Sequence, residues 1–290
     1  MSAIPPKYAV IIPHFNDVPR LQRCLEALAP QLEDDIEVIV ADNNSSDDLT
    51  AVRDQFSDVR FVIQTEKGAG PARNLGVAES TAPWIMFLDA DCVPADDWIA
   101  TGRRIAKEDT VIGGRVDVFH ETPPPQSGAE AFETVFAFKM GAYLARDGFL
   151  GSGNLVTTRH VFETTGGFRP AISEDVDWST RAAAAGFQLA YDDSFAAGHP
   201  SRKDWASLAQ KWRRLTTEAF LFRGGGPSAR LAWTLRALAM LPSALVHTPR
   251  VLRHPDLSTL EKARALFTLY RLRLMRMVWM LGQALTGRTV

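Results

Sequence analysis

The chain has 290 residues, of which 46% are hydrophobic and 23% charged, a composition that supports a large folded core and excludes an extended disordered chain. A net charge of −2 excludes a uniformly basic or acidic protein, but the mean conceals a division. Residues 1–198 carry 16 Lys+Arg against 30 Asp+Glu, a net −14, and residues 199–290 carry 16 against 4, a net +12. The last third is therefore expected to face something anionic, whether a membrane surface, nucleic acid or an acidic partner. No apolar stretch reaches the roughly 18 residues that a spanning helix needs. The opening MSAIPPKYAV has neither a basic leader nor a long apolar core, so export by a signal peptide is not expected. The two cysteines, Cys24 and Cys92, suggest no disulfide framework and no zinc cluster, which suits a reducing cytoplasm.

In chain order, the first 120 residues alternate short apolar runs with helical patterns. YAVII (8–12), IEVIVA (36–41), VRFVIQ (59–64), WIMFLD (84–89) and VIGGRVDVF (111–119) read as strands of a mostly parallel sheet with helices on its faces. Between the first two, Val18, Leu21, Cys24, Leu25 and Leu28 share a helical face, with Asp17 as the cap and Pro19 in the first turn. In such sheets ligands bind beyond the carboxyl ends of the strands. HETPPPQSG (120–128) reads as a connector, followed by a helical stretch over 129–146, the segment GFLGSGNLVTT, and two short helices around GGFRPAISED. A helix over 204–222 and the separator GGGP (224–227) precede a C-terminal pair of basic, apolar helices.

Several segments carry chemistry. WIMFLDAD delivers Asp89 and Asp91 to a strand tip, and strand alternation would aim both carboxylates the same way. Oxygen ligands of this kind suit Mg²⁺ or Mn²⁺, held by one or two carboxylates and by substrate phosphates. Taken alone, the pattern also fits a solvated turn. ADNNSSDD (41–48) ends the second strand in short acceptors suited to a base or a ribose, or to a turn and helix cap. EKGAGPARNLG (66–76) is a glycine-rich loop opening a helix, where backbone N–H groups, Lys67 and Arg73 would meet phosphate oxygens. It is neither a Walker sequence nor a dinucleotide fingerprint. In ISEDVDWSTR, Glu174 and Asp175 are either first-turn acids or functional carboxylates. Asp175 and Trp178, three apart on a helix, would set an aromatic platform beside a carboxylate. His199 in AAGHPSR ends an apolar run and offers a neutral imidazole ligand.

The order VIIPHFN, DNNSSD, KGAGPARNLG, FLDAD, GSGNLVTTRHVFETTGGF, SEDVDWSTRAAAAGF, GHPSR resembles the family 2 glycosyltransferases, inverting nucleotide-sugar enzymes with the GT-A fold, over residues 8–215. The resemblance implies a GT-A catalytic domain over 1–222, with a nucleotide-sugar half (1–120) and an acceptor half (121–222), and a basic amphipathic helical extension over 223–290. It implies that Pro13, Phe15 and Asp42 surround the nucleobase and ribose, with Lys67 and Arg73 near the donor. Asp89 would contact the ribose or a metal-bound water, and Asp91 would bind Mn²⁺ or Mg²⁺ with His199 as a further ligand. Asp175 matches the catalytic base, with Glu174 supporting it, and Ser152, Asn154 and Trp178 fall on the acceptor side. The expected reaction is metal-dependent transfer from a nucleotide sugar, with a uridine donor expected, to a glycan or lipid-linked hydroxyl.

QKWRR (210–214) departs from the Q-x-x-R-W signature of the processive synthases, whose long apolar spans are also missing, so single addition is expected. Nucleic acid is then not an expected partner. The location expected is cytoplasmic, peripheral on the inner face of the cell membrane. The basic C-terminal helices fit either an anionic membrane interface or packing on protein, including a second subunit. Two competing readings are a sugar-phosphate nucleotidyltransferase and a catalytically silent assembly subunit. PHFND after the first strand lacks the basic glycine loop expected of the former, and Asp89, Asp91, Asp175 and His199 argue against the latter.

Overall fold

The computed structural model describes residues 5–170, 173–224 and 226–288. Ala171 and Ile172 of the GGFRPAISED loop and Gly225 of the GGGP separator lie outside them. The chain forms two compact units, residues 1–117 with 138–199, and residues 118–137 with 200–290. This division differs from the boundary at 222/223 read from sequence. The proline-rich connector and the helix after it belong with the C-terminal helices, because their apolar side chains join one cluster.

The first unit begins β1 (Tyr8–His14), α1 (Val18–Leu28), β2 (Ile36–Asp42), α2 (Thr50–Gln55), β3 (Arg60–Ile63), α3 (Ala69–Ala78) and β4 (Trp84–Leu88). The short β5 (Val93–Pro94), α4 (Trp98–Ile105) and β6 (Thr110–Phe119) follow. After α5 (Gly128–Phe136) come α6 (Met140–Asp147), β7 (Asn154–Thr158), α7 (Arg159–Thr165), α8 (Glu174–Ala184) and β8 (Gln188–Pro200). The strands form one eight-stranded sheet in the order β3-β2-β1-β4-β7-β6-β8-β5.

Alternation along the central strands explains the layers. Val10, Ile12, Val38, Val40, Met86 and Leu88 pack under Leu21, Cys24, Leu25 and Leu28 of α1 and under Trp98 of α4. Ala9, Ile11, Ile39, Ile85 and Phe87 face the other way, onto Val77 of α3, Phe162 of α7 and Trp178 of α8. Both faces being covered, these strands are continuously apolar, as buried parallel strands are. Gly76 of α3 meets the sheet so closely that a Cβ would lie 2.5 Å from Cγ2 of Ile11.

The sheet is parallel through β3-β2-β1-β4 and antiparallel where β7 joins β4 and β6 and where β5 joins β8. The expected mostly parallel sheet is thus a mixed one. β7, NLVTT, escaped the sequence reading because its polar residues are internally bonded: Thr157 donates to the carbonyl of Thr110 at 3.2 Å. The helical stretch read over 129–146 is two helices, α5 and α6, parted at Ala137–Lys139, where Phe138 has φ 51°.

The second unit joins α5 to α9 (Trp205–Phe222), α10 (Pro227–Leu238), α11 (Met240–Leu252) and α12 (Thr259–Thr286), three C-terminal helices where two were expected. Phe132, Leu208, Ala244, Val251, Leu269 and Leu272 make one apolar cluster. Buried Glu133 accepts from Lys211 at 2.8 Å and from Arg202 at 3.0 Å, and these cations outweigh burial to hold its carboxyl below the usual range. Capping boxes start α5 (Ser127, Glu130) and α12 (Ser258, Glu261). Glu261 also accepts from the amide of Gln126 at 2.8 Å, tying the connector to α12.

The Ser258 hydroxyl, then the amides of Gln126 and Ser258, hold the Glu261 carboxyl at about 2 against an ordinary 4.5. A carboxyl depressed by folding contributes stability above its unfolded value, and that contribution fades as pH falls through the folded value. Urea unfolding repeated from about pH 6 down to about pH 3 should show a falling midpoint, and Glu261→Gln should flatten that slope while costing about 1 kcal/mol at neutral pH.

Candidate active site

The carboxyl ends of β1, β2 and β3 open onto a cavity of about 450 Å³ lined by Pro13, His14, Phe15, Asn43, Asn44, Thr65, Lys67, Gly68, Ala69 and Ala72. Its size suits a small-molecule ligand, and its place is where open α/β sheets bind them. Asn16 and Asn44 close the loops after β1 and β2 with φ of 47° and 57°, in the left-handed region that asparagine tolerates. Phe15 stands 56% exposed at the lip. Pro13, Phe15 and Lys67 line this cavity.

Asp42 does not line it. Register pairs His14 with Asp42 across β1 and β2, and the Asp42 carboxylate, in a residue 3% exposed, accepts from His14 Nδ1 at 2.8 Å and from the Ser45 hydroxyl and amide. Burial pushes this carboxyl up, but the Ser45 and His14 bonds more than offset it and leave it below the usual range. The Asp17 amide donates to His14 Nε2 at 3.2 Å, so both ring nitrogens of His14 are engaged. The expectation of Asp42 against base or ribose is corrected: it braces His14, and its neighbour Asn43 faces the cavity. Asn43 ties the loops together, donating to the carbonyls of Gln64 and Glu66 and accepting from the Gly68 amide at 2.8 Å. In the sequence Asn43 stands out only as one of the short acceptors of ADNNSSDD and His14 only within VIIPHFN, with no role for either by itself.

In the first turns of α3, Arg73 gathers acids from two other elements. Its guanidinium, in a residue 5% exposed, bonds Asp89 at the end of β4 and Glu174 at the start of α8, the latter at 3.3 Å. The Phe168 ring lies beneath it at 5.6 Å. Burial alone would lower the Arg73 pKa, but Asp89, Asp175 and Glu174 raise it above its ordinary value. Burial lifts the Asp89 carboxyl; Arg73 draws it down, and Asp91 and Asp175 push it up again. Arg73, expected at the donor, thus spends its charge on positioning acids. The link to the cavity is short: a Cβ on Gly68 would lie 3.8 Å from the Glu174 carboxylate.

The two aspartates of LDAD part company. β4 ends at Leu88, and a turn closed by the Cys92 amide on the Asp89 carbonyl at 2.9 Å replaces the strand. The alternation that would have aimed both side chains alike does not persist. Asp89 goes to Arg73, while Asp91 meets His199 Nε2 at 3.2 Å, with the Phe138 ring 4.5 Å from the imidazole. Among the described residues no three His, Cys, Asp or Glu side chains form a ready metal cage. Asp91 and His199 fit a cation that takes two protein ligands and fills its other positions with phosphate and water, as Mg²⁺ sites do. Asp89 enters no such pair.

Asp175, half-buried in the first turn of α8, accepts from the Ser152 amide at 3.0 Å. Ser152 itself is buried and serves through its backbone. Two acceptor-side expectations are corrected. Trp178 is 1% exposed, packs on Phe162 and Phe168, and donates its indole N–H to the Gly166 carbonyl at 3.0 Å, so it offers no sugar platform. Its position three residues from Asp175 turns it into the core. Asn154 has every polar atom engaged: Oδ1 accepts from Trp98, and Nδ2 donates to the carbonyls of Arg115 and Phe195, each at 2.9 Å.

Gly153 shows how tightly these pieces fit. Its carbonyl accepts from the Asp89 amide at 3.1 Å, and a Cβ there would run into the Asp89 carboxylate, 2.8 Å from Cγ. Gly153→Ala should displace Asp89 from Arg73 and cost about 1–3 kcal/mol in urea unfolding, as overpacking does, whereas Gly148→Ala, at a helix end with nothing within 4 Å, pays only for its φ of 69°.

Comparison with known proteins agrees with this architecture. The sequence model described as Glycosyl transferase family 2 matches residues 9–164. Glycosyltransferase AglE of Haloferax volcanii is 29% identical over 224 residues, 73% of each chain. An uncharacterized glycosyltransferase of Nostoc sp., alr2836, is 34% identical over 92 residues, 30% of this chain and 29% of its own. Among solved structures, the mannosyltransferase PcManGT from Pyrobaculum calidifontis, in complex with GDP-Man and Mn²⁺, superposes with a TM-score of 0.56 at 17% identity, over 99% of this chain and 77% of that one. TarS 1–349 of S. aureus gives 0.52 at 13%, over 97% and 92%. The fold is the GT-A fold, a mixed sheet flanked by helices and followed by C-terminal helices. On the length of the family match and the order of the loops that carry it, the chain is a member of the family 2 glycosyltransferases.

Proposed function

We propose that the protein transfers a sugar from a nucleoside-diphosphate donor to a hydroxyl of a glycan or lipid-linked acceptor, one residue at a time and with inversion at the anomeric carbon. The observation that carries this reading is Asp175, a half-buried carboxylate held by the Ser152 amide. It is close enough to the Arg73 cluster to be felt by both Arg73 and Asp89. Pro13, Phe15, Asn43 and Lys67 would hold the nucleoside and its phosphates in the cavity at the ends of β1 to β3. A uridine donor is the expectation from the resemblance; the mannosyltransferase neighbour was solved with GDP-Man, which supports a nucleotide-sugar donor in general.

Asp91 and His199 would hold Mn²⁺ or Mg²⁺, and the Mn²⁺ in that neighbour supports a divalent ion. When bound, such an ion neutralises charge developing on the departing diphosphate. Asp175 accepts the proton of the acceptor hydroxyl as general base. Attack opposite the leaving group inverts the configuration, with no covalent enzyme intermediate. Arg73 keeps Asp89 and Glu174 in place around the base.

Asp175→Asn should lower turnover at least about a hundredfold with donor affinity nearly intact, and Asp91→Ala should weaken nucleotide binding only when Mn²⁺ is present. Single-turnover kinetics and calorimetry with a nucleoside diphosphate, with and without Mn²⁺, read the two effects apart. Ordinary turnover by Asp175→Asn would remove the residue from this role.

A further inference from the structure

A helix on a soluble protein buries one apolar stripe and turns polar residues to water. α12 departs from that pattern. Its buried side carries Ala265, Thr268, Leu269, Leu272, Met280 and Gln283. At about 100° per residue, Leu260, Phe267, Leu274, Val278 and Leu285 fall within about 40° of one another on the opposite side. All five are exposed, Phe267 by 69% and Leu285 by 80%. They extend along roughly 37 Å of helix.

The pattern is general in the second unit. Of the 17 large apolar side chains exposed among the described residues, all but Phe15 and Ile63 belong to it. Leu231, Leu235 and Leu238 repeat the stripe on α10, as Leu241, Leu245 and Leu252 do on α11. Isolated exposed leucines are ordinary, but rows of them mark a surface that meets something apolar. The charge is as distinctive: residues 118–137 and 200–290 carry 16 Lys+Arg against 7 Asp+Glu, a net +9. On α12, Arg264 and Arg271 border the apolar row, and Arg271 lies 3.9 Å over the Trp205 ring. Both line a cavity of about 760 Å³ with Lys203, Trp205 and Phe267.

We infer that the exposed face of α12, with its neighbours α10 and α11, docks on the surface of an anionic bilayer, lying in the interface and not crossing it. No helix among the described residues is long and apolar enough to cross a membrane. Leucine and phenylalanine rows enter the acyl boundary while arginine stems lie along it and their heads meet lipid phosphates. A second copy of the chain is the poorer occupant, since a twofold contact through this face would set +9 against +9. Nucleic acid would match the arginines but gives leucine rows nothing to bury in. The surface lies wholly in the second unit, so the inference does not rest on the transfer reaction.

Flotation of the full chain with phosphatidylglycerol-containing vesicles and with pure phosphatidylcholine vesicles tests it, reading neither donor nor acceptor. The expected result is flotation with the anionic vesicles at low salt, at least about tenfold weaker on the neutral ones and reversed by salt, each basic side chain near the surface being worth about fivefold. The triple variant Phe267→Gln, Leu274→Gln and Val278→Gln should lose at least about tenfold in partitioning with its circular dichroism and thermal unfolding unchanged. Failure of the unaltered chain to float with anionic vesicles at low salt overturns the inference, as does equal flotation on both lipids. Equal flotation of a folded triple variant overturns it too. Self-association in lipid-free light scattering that the triple variant abolishes, without vesicle binding, assigns the face to a second copy and overturns it as well.

Discussion

One buried cation organises the candidate site. Arg73 sits in the first turns of α3, almost out of water, and its guanidinium joins Asp89 from the end of β4 to Glu174 from the start of α8. Without it, Asp89, Glu174 and Asp175 would be crowded acids with no fixed positive charge among them. With it, three elements remote in sequence are held in one register, and Phe168 closes the apolar side of the guanidinium. Glycines make the approach feasible. A Cβ on Gly70 would lie 3.0 Å from both the Glu174 carboxyl and Phe168, and one on Gly153 would collide with Asp89.

That arrangement divides labour among carboxylates that look alike in sequence. Asp89 and Glu174 are engaged by Arg73, Asp91 by His199, and Asp175 by a backbone amide, so each has a different environment. The proposed transfer would use the difference: one pair for a divalent ion, one carboxylate for the acceptor proton, and an internal ion cluster that fixes their spacing. The cavity at the ends of β1 to β3 follows the same logic, with His14 held between Asp42 and the Asp17 amide and Asn43 joining two loops beside it.

The charge polarity of the chain acquires a structural meaning. The acidic portion contains the sheet and the clustered carboxylates, and the basic portion contains helices whose buried faces are conventional and whose outer faces are not. Glu133, Glu130 and Glu261 are among the few acids there, and each is used internally, the first as a buried partner for Lys211 and Arg202 and the others as helix caps. The remaining surface charge is overwhelmingly positive.

The sequence by itself determined the strands β1, β2 and β4, because two covered faces demand short, nearly unbroken apolar runs, and their length and the polar loops that bound them set them apart from helices. It also placed PHFND, DNNSSDD, the glycine-rich loop and DAD at the carboxyl ends of β1 to β4, and the order of the motifs pointed to the family. Only the tertiary structure decided what each side chain faces. Asp42 turned to His14, Trp178 to the core and Asn154 to three internal partners, because strand parity and helix phase beyond a turn depend on neighbours that no local pattern specifies. The antiparallel placement of β7, the pairing of Asp91 with His199 and the role of Arg73 likewise arise from contacts between distant segments, where packing and charge satisfaction outweigh local preference.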